Sequence, residues 1–192
     1  MKKKIIFLDI DGVLNGYNFW SLFGWYIFRI SSTFSNWYRN KINPSGIHEK
    51  KVKRLAKIIQ NTNAKVVMSS SWRIGFWDVS YEEKIGRQKV LADMLNKYNI
   101  DVIDITPYSN NGRREDEIIA WLSRHEDEVE SFVILDDERS DLQCFVGSNL
   151  VQTSSVPRGK MIMGHWYENT GLKNKHVKKA IKILNEKRSL ER

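Results

Sequence analysis

The segment Lys4-Ile5-Ile6-Phe7-Leu8-Asp9-Ile10-Asp11-Gly12-Val13-Leu14-Asn15 decides how the rest of the chain is read. Residues 5–8 form a continuous β-branched and aromatic run, the pattern of a strand buried on both faces in a parallel sheet. The run stops at two carboxylates one residue apart, with a glycine behind them. An uncompensated carboxylate beside an apolar core costs on the order of several kcal/mol. Such an ending predicts a compensating charge, and a divalent cation at the carboxyl end of the strand supplies one. In open α/β sheets that end is also where ligands bind. The competing explanation is that both aspartates cap a turn into a helix.

Three further apolar runs end in polar residues. Residues 64–68 lead into Ser69-Ser70-Ser71-Trp72-Arg73, residues 101–105 stop at Thr106-Pro107, and residues 132–135 lead into Asp136-Asp137. Adjacent acids after a buried strand repeat the pattern of Asp9 and Asp11, as a shared octahedral Mg²⁺ site requires. Residues 150–153 predict a fifth strand. Between the strands, residues 47–61 read as an amphipathic helix with Val52, Leu55, Ile58 and Ile59 at helical spacing. Residues 87–97 form a second helix, with Val90, Leu91, Met94 and Leu95 inward. Arg113-Arg114-Glu115-Asp116-Glu117 opens a third, and residues 175–187, with Val177, Ile181 and Leu184 inward, a basic fourth.

Asp-Ile-Asp-Gly-Val-Leu after a strand, with the serine-terminated second strand and the Asp136-Asp137 ending, resembles the haloacid dehalogenase (HAD) superfamily of phosphotransferases. Ser-Ser-Ser-Trp-Arg, Ile103-Asp104-Ile105-Thr106-Pro107 and Ile134-Leu135-Asp136-Asp137 narrow the likeness. They resemble the HAD branch of bacterial and phage proteins linked to RNA repair, with a motif layout similar to the phosphatase half of polynucleotide kinase-phosphatases. The resemblance implies an α/β Rossmann-like three-layer sandwich with a central parallel sheet. It implies that Asp9 attacks phosphorus to form an aspartyl-phosphate, and that Asp11 acts as general acid and then base. Ser69, with Ser70 competing, would hold a phosphoryl oxygen. Arg114, with Arg113 competing, would screen the nucleophile's charge where the family more often has lysine. The implied Mg²⁺ would be held by Asp9, Asp11 (through its carbonyl), Asp136 and Asp137. Gly12 would lie against the substrate, while Asp141 either joins the metal site or caps the next helix. Arg73 would contact a second phosphate or a base, or else form a surface ion pair.

These roles agree with elementary chemistry. A carboxylate becomes a competent nucleophile towards phosphate when a metal and a positive neighbour screen the repulsion, and a nearby cation favours its ionised form.

Residues 16–46 carry ten aromatic residues, Tyr17 to Tyr38, without a helical or alternating period. They match the expectation of a small cap after the first strand that excludes water or stacks on a base. A hydrophobic subcore, a dimer face or a membrane-surface patch would use the same residues. The loop at 154–170, with Arg158, Lys160, His165, Trp166 and Tyr167, is expected to line the site entrance, His165 as a hydrogen-bond partner and not a ligand.

At 192 residues with 41% hydrophobic and 28% charged content, the chain suits one globular domain with an inserted cap. The single Cys144 precludes an intramolecular disulfide, fits a reducing compartment and, beside Phe145 and Val146, is expected to pack. No signal peptide is evident. The most apolar later run, residues 19–30, falls short of the ~20 residues needed to span a bilayer, so a soluble cytoplasmic protein is expected. The net charge of +8 suits a polyanionic partner, although much of it lies at the termini, where a basic helix is usually only solvated. The expected substrate is the 3′- or 5′-phosphate of RNA or DNA ends or of nucleotides. A small-molecule phosphatase and a non-catalytic binding module are the alternatives.

Overall fold

The computed structural model describes residues 2–15, 46–153 and 171–186. Five strands form one parallel sheet: β1 (Lys3–Leu8), β2 (Lys65–Met68), β3 (Val102–Ile105), β4 (Val129–Asp136) and β5 (Leu150–Gln152), in the order β3-β2-β1-β4-β5. Four helices flank it among the described residues: α1 (Glu49–Thr62), α2 (Gly86–Lys97) and α3 (Arg114–Arg124) connect successive strands, and α4 (Asn174–Asn185) follows β5. The expected Rossmann-like α/β architecture is therefore present. Several helix and strand limits coincide with those read in the sequence, and the others differ by one to three residues, as helix and strand ends commonly do. The expected cap at 16–46, Gly46 excepted, and the loop at 154–170 lie outside the described residues.

The pleat of β1 sorts its side chains. Ile6 and Leu8 face one side with Val66, Met68, Val133, Leu135 and Val151, where Val52, Leu55 and Ile58 of α1, Leu91 and Leu95 of α2, and Val177, Ala180 and Leu184 of α4 cover them. Ile5 and Phe7 face the other, with Val67 and Ile134, beneath Ile118 and Trp121 of α3 and Phe145. Phe7 meets the Trp121 ring edge-on at 5.3 Å, a favoured geometry for aromatic quadrupoles. Both faces of β1 are thus apolar and covered, which is why its sequence shows no alternation.

The strand order makes the site. After β1 the chain builds β2 and β3 to one side, then returns to build β4 and β5 on the other. A reversal of this kind opens a crevice at the carboxyl ends of the two central strands, here β1 and β4. The ladder runs past the strand ends: Asp9 N–H donates to Leu135 O at 3.0 Å, Ser69 N–H to Leu8 O at 2.9 Å, Thr106 N–H to Met68 O at 3.0 Å and Thr153 N–H to Asp136 O at 2.8 Å. Backbone pairing therefore locks Asp9, Ser69, Thr106 and Thr153 along one sheet edge, beside Asp136 at the end of β4. Among the described residues, no helix is long and apolar enough to cross a membrane.

Candidate active site at the strand tips

Asp9, Asp136 and Asp137 are buried, and each offers a carboxylate oxygen within 4.8 Å of the others. Arg114, at the start of α3, reaches between them: one Nη1 lies 3.0 Å from Asp9 Oδ1 and 2.6 Å from Asp136 Oδ2. Asp9 Oδ2 is buried and accepts no hydrogen bond. Burial pushes the Asp9 carboxyl above its ordinary value, against the lowering effects of Arg114, the Ser70 hydroxyl and the Ile10 amide, and with a further raising contribution from Asp11. Burial, with Asp9 beside it, raises Asp136 to about 7 despite Arg114. Desolvation disfavours the Arg114 cation, but Asp136 and Asp9 outweigh it and hold the guanidinium charged.

One guanidinium against three carboxylates leaves the cluster negative when all are ionised, and a buried carboxylate oxygen without a hydrogen bond is costly. An all-oxygen set of this size suits a hard divalent cation such as Mg²⁺. The residues fit the ion that the sequence implied.

Gly12 explains how the acids come so close. Its φ is +72°, and a Cβ there would lie 2.3 Å from the Asp137 carboxyl carbon. Only glycine accepts both the left-handed backbone and the approach of Asp137. Thr153 Oγ1 donates to Gly12 O at 2.7 Å and ties the same loop to the exit of β5. At the other end of the loop, a Cβ on Gly171 would lie 2.6 Å from Val13 O and 2.7 Å from Asn15 O. The buried Lys51 donates from Nζ to Asn15 O at 2.8 Å, and burial, aided by Arg54, lowers its pKa to about 8.

The other residues singled out in the sequence divide clearly. Ser69 and Ser70 are both buried at the exit of β2; Ser69 Oγ makes no hydrogen bond, while Ser70 Oγ accepts from Trp72 N at 3.4 Å. Asp11 is bound through both carboxylate oxygens, by Trp72 Nε1 at 3.0 Å and Asn15 Nδ2 at 2.6 Å, and its carboxylate lies outside the three-acid cluster. Of the two arginines, Arg114 joins the acids, whereas Arg113 is exposed and pairs with Glu115 at 3.2 Å. Arg73 forms an ion pair, but a buried one: Nη2 lies 2.8 Å from Glu117 Oε1 with both side chains about 6–7% exposed, and its guanidinium covers the Tyr108 ring at 4.2 Å. The surface location considered for Arg73 is therefore corrected, because α3 carries Glu117 inward over the end of β2. Asp141 is exposed and outside the acid cluster, and the short 3₁₀ turn Gln143–Phe145 has no side-chain cap. Cys144 is exposed, which corrects the packing role expected of it. Phe145 takes the inward position of that turn, and burial and Glu115 push the thiol up to about 11.

Trp72, Asn15 and Thr153 reach the site without having been assigned a part in it. Asn15 lies four residues after Asp11 and Trp72 follows the serines, so both belong to the segments that follow β1 and β2. Spacing alone does not show which polar atoms meet.

The family model described as "HAD domain in Swiss Army Knife RNA repair proteins" matches residues 5–157, which is 153 of the 192 residues. Comparison with curated proteins and with solved structures gave no match.

Proposed function

The chain belongs to the HAD domains of Swiss Army Knife RNA repair proteins, and from that premise we propose that it is a Mg²⁺-dependent phosphomonoester hydrolase acting on a phosphorylated nucleic-acid end. Membership supports a HAD-type phosphatase in general. The observation that carries the finer reading is the convergence of buried Asp9, Asp136 and Asp137 on one crevice with Arg114 among them.

Asp9, Asp136 and Asp137 would hold the Mg²⁺ with their carboxylates, and Asp11 with its backbone carbonyl. Bound there, the ion would neutralise phosphoryl charge and keep the acids ionised. Arg114 orients Asp9 through Oδ1 and leaves Oδ2 without a hydrogen bond. Attack by Asp9 forms a bond to phosphorus as the bond to the leaving oxygen breaks, and Asp11 gives that oxygen its proton. Asp11 then takes a proton from water, whose oxygen displaces Asp9 and releases inorganic phosphate. The sum is one water consumed, one alcohol and one phosphate formed. The hydroxyl of Ser69, buried without a partner, is available to a phosphoryl oxygen.

The nucleic-acid substrate is supported by the RNA-repair context of the family and by the net charge of +8. The test is a phosphatase screen of mononucleotides against 3′- and 5′-phosphorylated oligonucleotides, in Mg²⁺ and in chelator. Release of phosphate from oligonucleotides, with an apparent affinity that falls steeply with salt, is expected. Salt-insensitive turnover of mononucleotides alone would move the substrate to small molecules. No turnover of any phosphate ester would leave a binding module.

A further inference from the structure

Asp11 is gripped by two side chains to which the steps above give no part. The indole Nε1–H of Trp72 donates to Asp11 Oδ2 at 3.0 Å, and the Asn15 amide donates to Asp11 Oδ1 at 2.6 Å. Both donors are themselves fixed. Trp72 is 3% exposed, its backbone N–H bonds to Ser70 Oγ, its carbonyl accepts from Gln88 Nε2 at 3.2 Å, and the Arg87 guanidinium lies 4.8 Å from its ring. Asn15 accepts from Gly12 N–H through Oδ1 at 2.7 Å, and its carbonyl accepts from Lys51 Nζ at 2.8 Å.

A buried indole N–H needs an acceptor, yet any nearby carbonyl would satisfy it. Here the acceptor is a partly buried carboxylate at the site, reached from a residue 61 positions away. A second donor on the other oxygen removes the remaining rotation of the carboxylate about its χ angles. The Asp11 carboxylate is not one of the three whose oxygens lie within 4.8 Å of one another, so one loop presents two aspartates to two tasks.

We propose that Trp72 and Asn15 are positioning residues that fix both carboxylate oxygens of Asp11, so that proton delivery to the leaving group depends on a tryptophan N–H. The inference rests on the phosphohydrolase reading. It gives Trp72 a role separable from packing: the indole N–H matters only when the departing oxygen requires a proton. A nitrophenolate departs as the anion, whereas an alkoxide must be protonated as it departs.

The test compares the wild-type chain with Trp72→Phe, which keeps a ring in place and removes the donor, and with Asn15→Ala, which removes the other. Each is assayed in Mg²⁺ on 4-nitrophenyl phosphate and on a simple alkyl phosphate. The quantity read is kcat/KM, which reports only the steps through leaving-group departure. The inference expects kcat/KM to fall on the order of 10–100-fold on the alkyl ester and to change by less than about 3-fold on the aryl ester. Equal losses on both esters would assign Trp72 and Asn15 to structure alone, and no loss on either would remove them from the mechanism; both results overturn the inference while leaving the phosphohydrolase reading intact. A wild-type chain inactive on both esters and on phosphorylated oligonucleotides overturns that reading and the inference with it. For a chain active on oligonucleotides alone, that ester, whose leaving group is an alkoxide, replaces the alkyl phosphate, and a fall of less than about 3-fold in the variants overturns the inference. Thermal unfolding of each variant shows that it is folded, and should Trp72→Phe not fold, Asn15→Ala decides the matter by the same ratio.

Discussion

Replacing Asp9 by Asn should make the protein more stable and inactive at once. The change is nearly isosteric, and the Asn oxygen can still accept from Arg114, which also keeps its 2.6 Å contact to Asp136. What is lost is one buried negative charge. Asp136 titrates near 7 in place of 3.8, first because it is buried and next because Asp9 is beside it. The folded state therefore binds more protons than the unfolded chain between those values. The penalty is complete above about pH 7 and fades as pH falls towards 4. An interval of about 3 pH units at 1.36 kcal/mol each sets a ceiling of about 4 kcal/mol. Removing the Asp9 contribution, and the desolvation of Asp9 itself, should return about 1–3 kcal/mol in chelator at pH 7.5. For a chain of this size that is a rise in Tm of about 3–10 °C. At pH 5.5, where Asp136 is already protonated, the advantage should shrink. Saturating Mg²⁺ should reverse the order, since a cation bound only to the folded state stabilises the wild type and loses a ligand in the variant. Thermal unfolding of both proteins at the two pH values, with Mg²⁺ and with chelator, measures all four quantities. A variant no more stable than wild type at pH 7.5 in chelator, or a gain unchanged at pH 5.5, would refute the mutual repulsion on which the site is argued.

Gly12→Ala should destabilise the chain by about 1–3 kcal/mol through the positive φ and the contact with Asp137, and should weaken the Mg²⁺-induced rise in Tm because Asp137 must move. Arg73→Ala should cost about 3–5 kcal/mol by leaving Glu117 buried without its cation, with the Mg²⁺-induced rise retained; urea unfolding reads the first and thermal unfolding the second. His176 is buried and accepts Lys173 N–H at its Nδ1, and burial, then Lys175 and Lys173, lower its pKa to about 4. Between pH 6.5 and 4 the unfolded chain binds the extra proton, so stability should fall with pH across that window. Because the lysines are screened by solvent, the loss should be about 1–2 kcal/mol. Asn, placed at 176 by His176→Asn, should flatten the dependence measured by chemical denaturation at a series of pH values.

Much of this protein follows from local sequence. The unalternating run before Asp9 predicted a central strand because both faces of β1 are in fact covered. The polar residues after each apolar run marked the strand tips because a parallel sheet carries all its carboxyl ends on one edge. Gly12 was expected against the substrate, and the space beside it that Asp137 occupies was not legible. Tertiary structure decided which charges meet. Arg114 was preferred to Arg113 in sequence but Arg113 stayed a competitor, and it is the first turn of α3 that turns Arg113 to solvent and Arg114 onto Asp9. Arg73 finds Glu117 across 44 residues, and Trp72 finds Asp11 across 61. Strand and helix propensities act over a few residues and leave their period in the chain. Electrostatic and hydrogen-bond partners are chosen by strand order, and the placement of β4 beside β1 leaves no local mark.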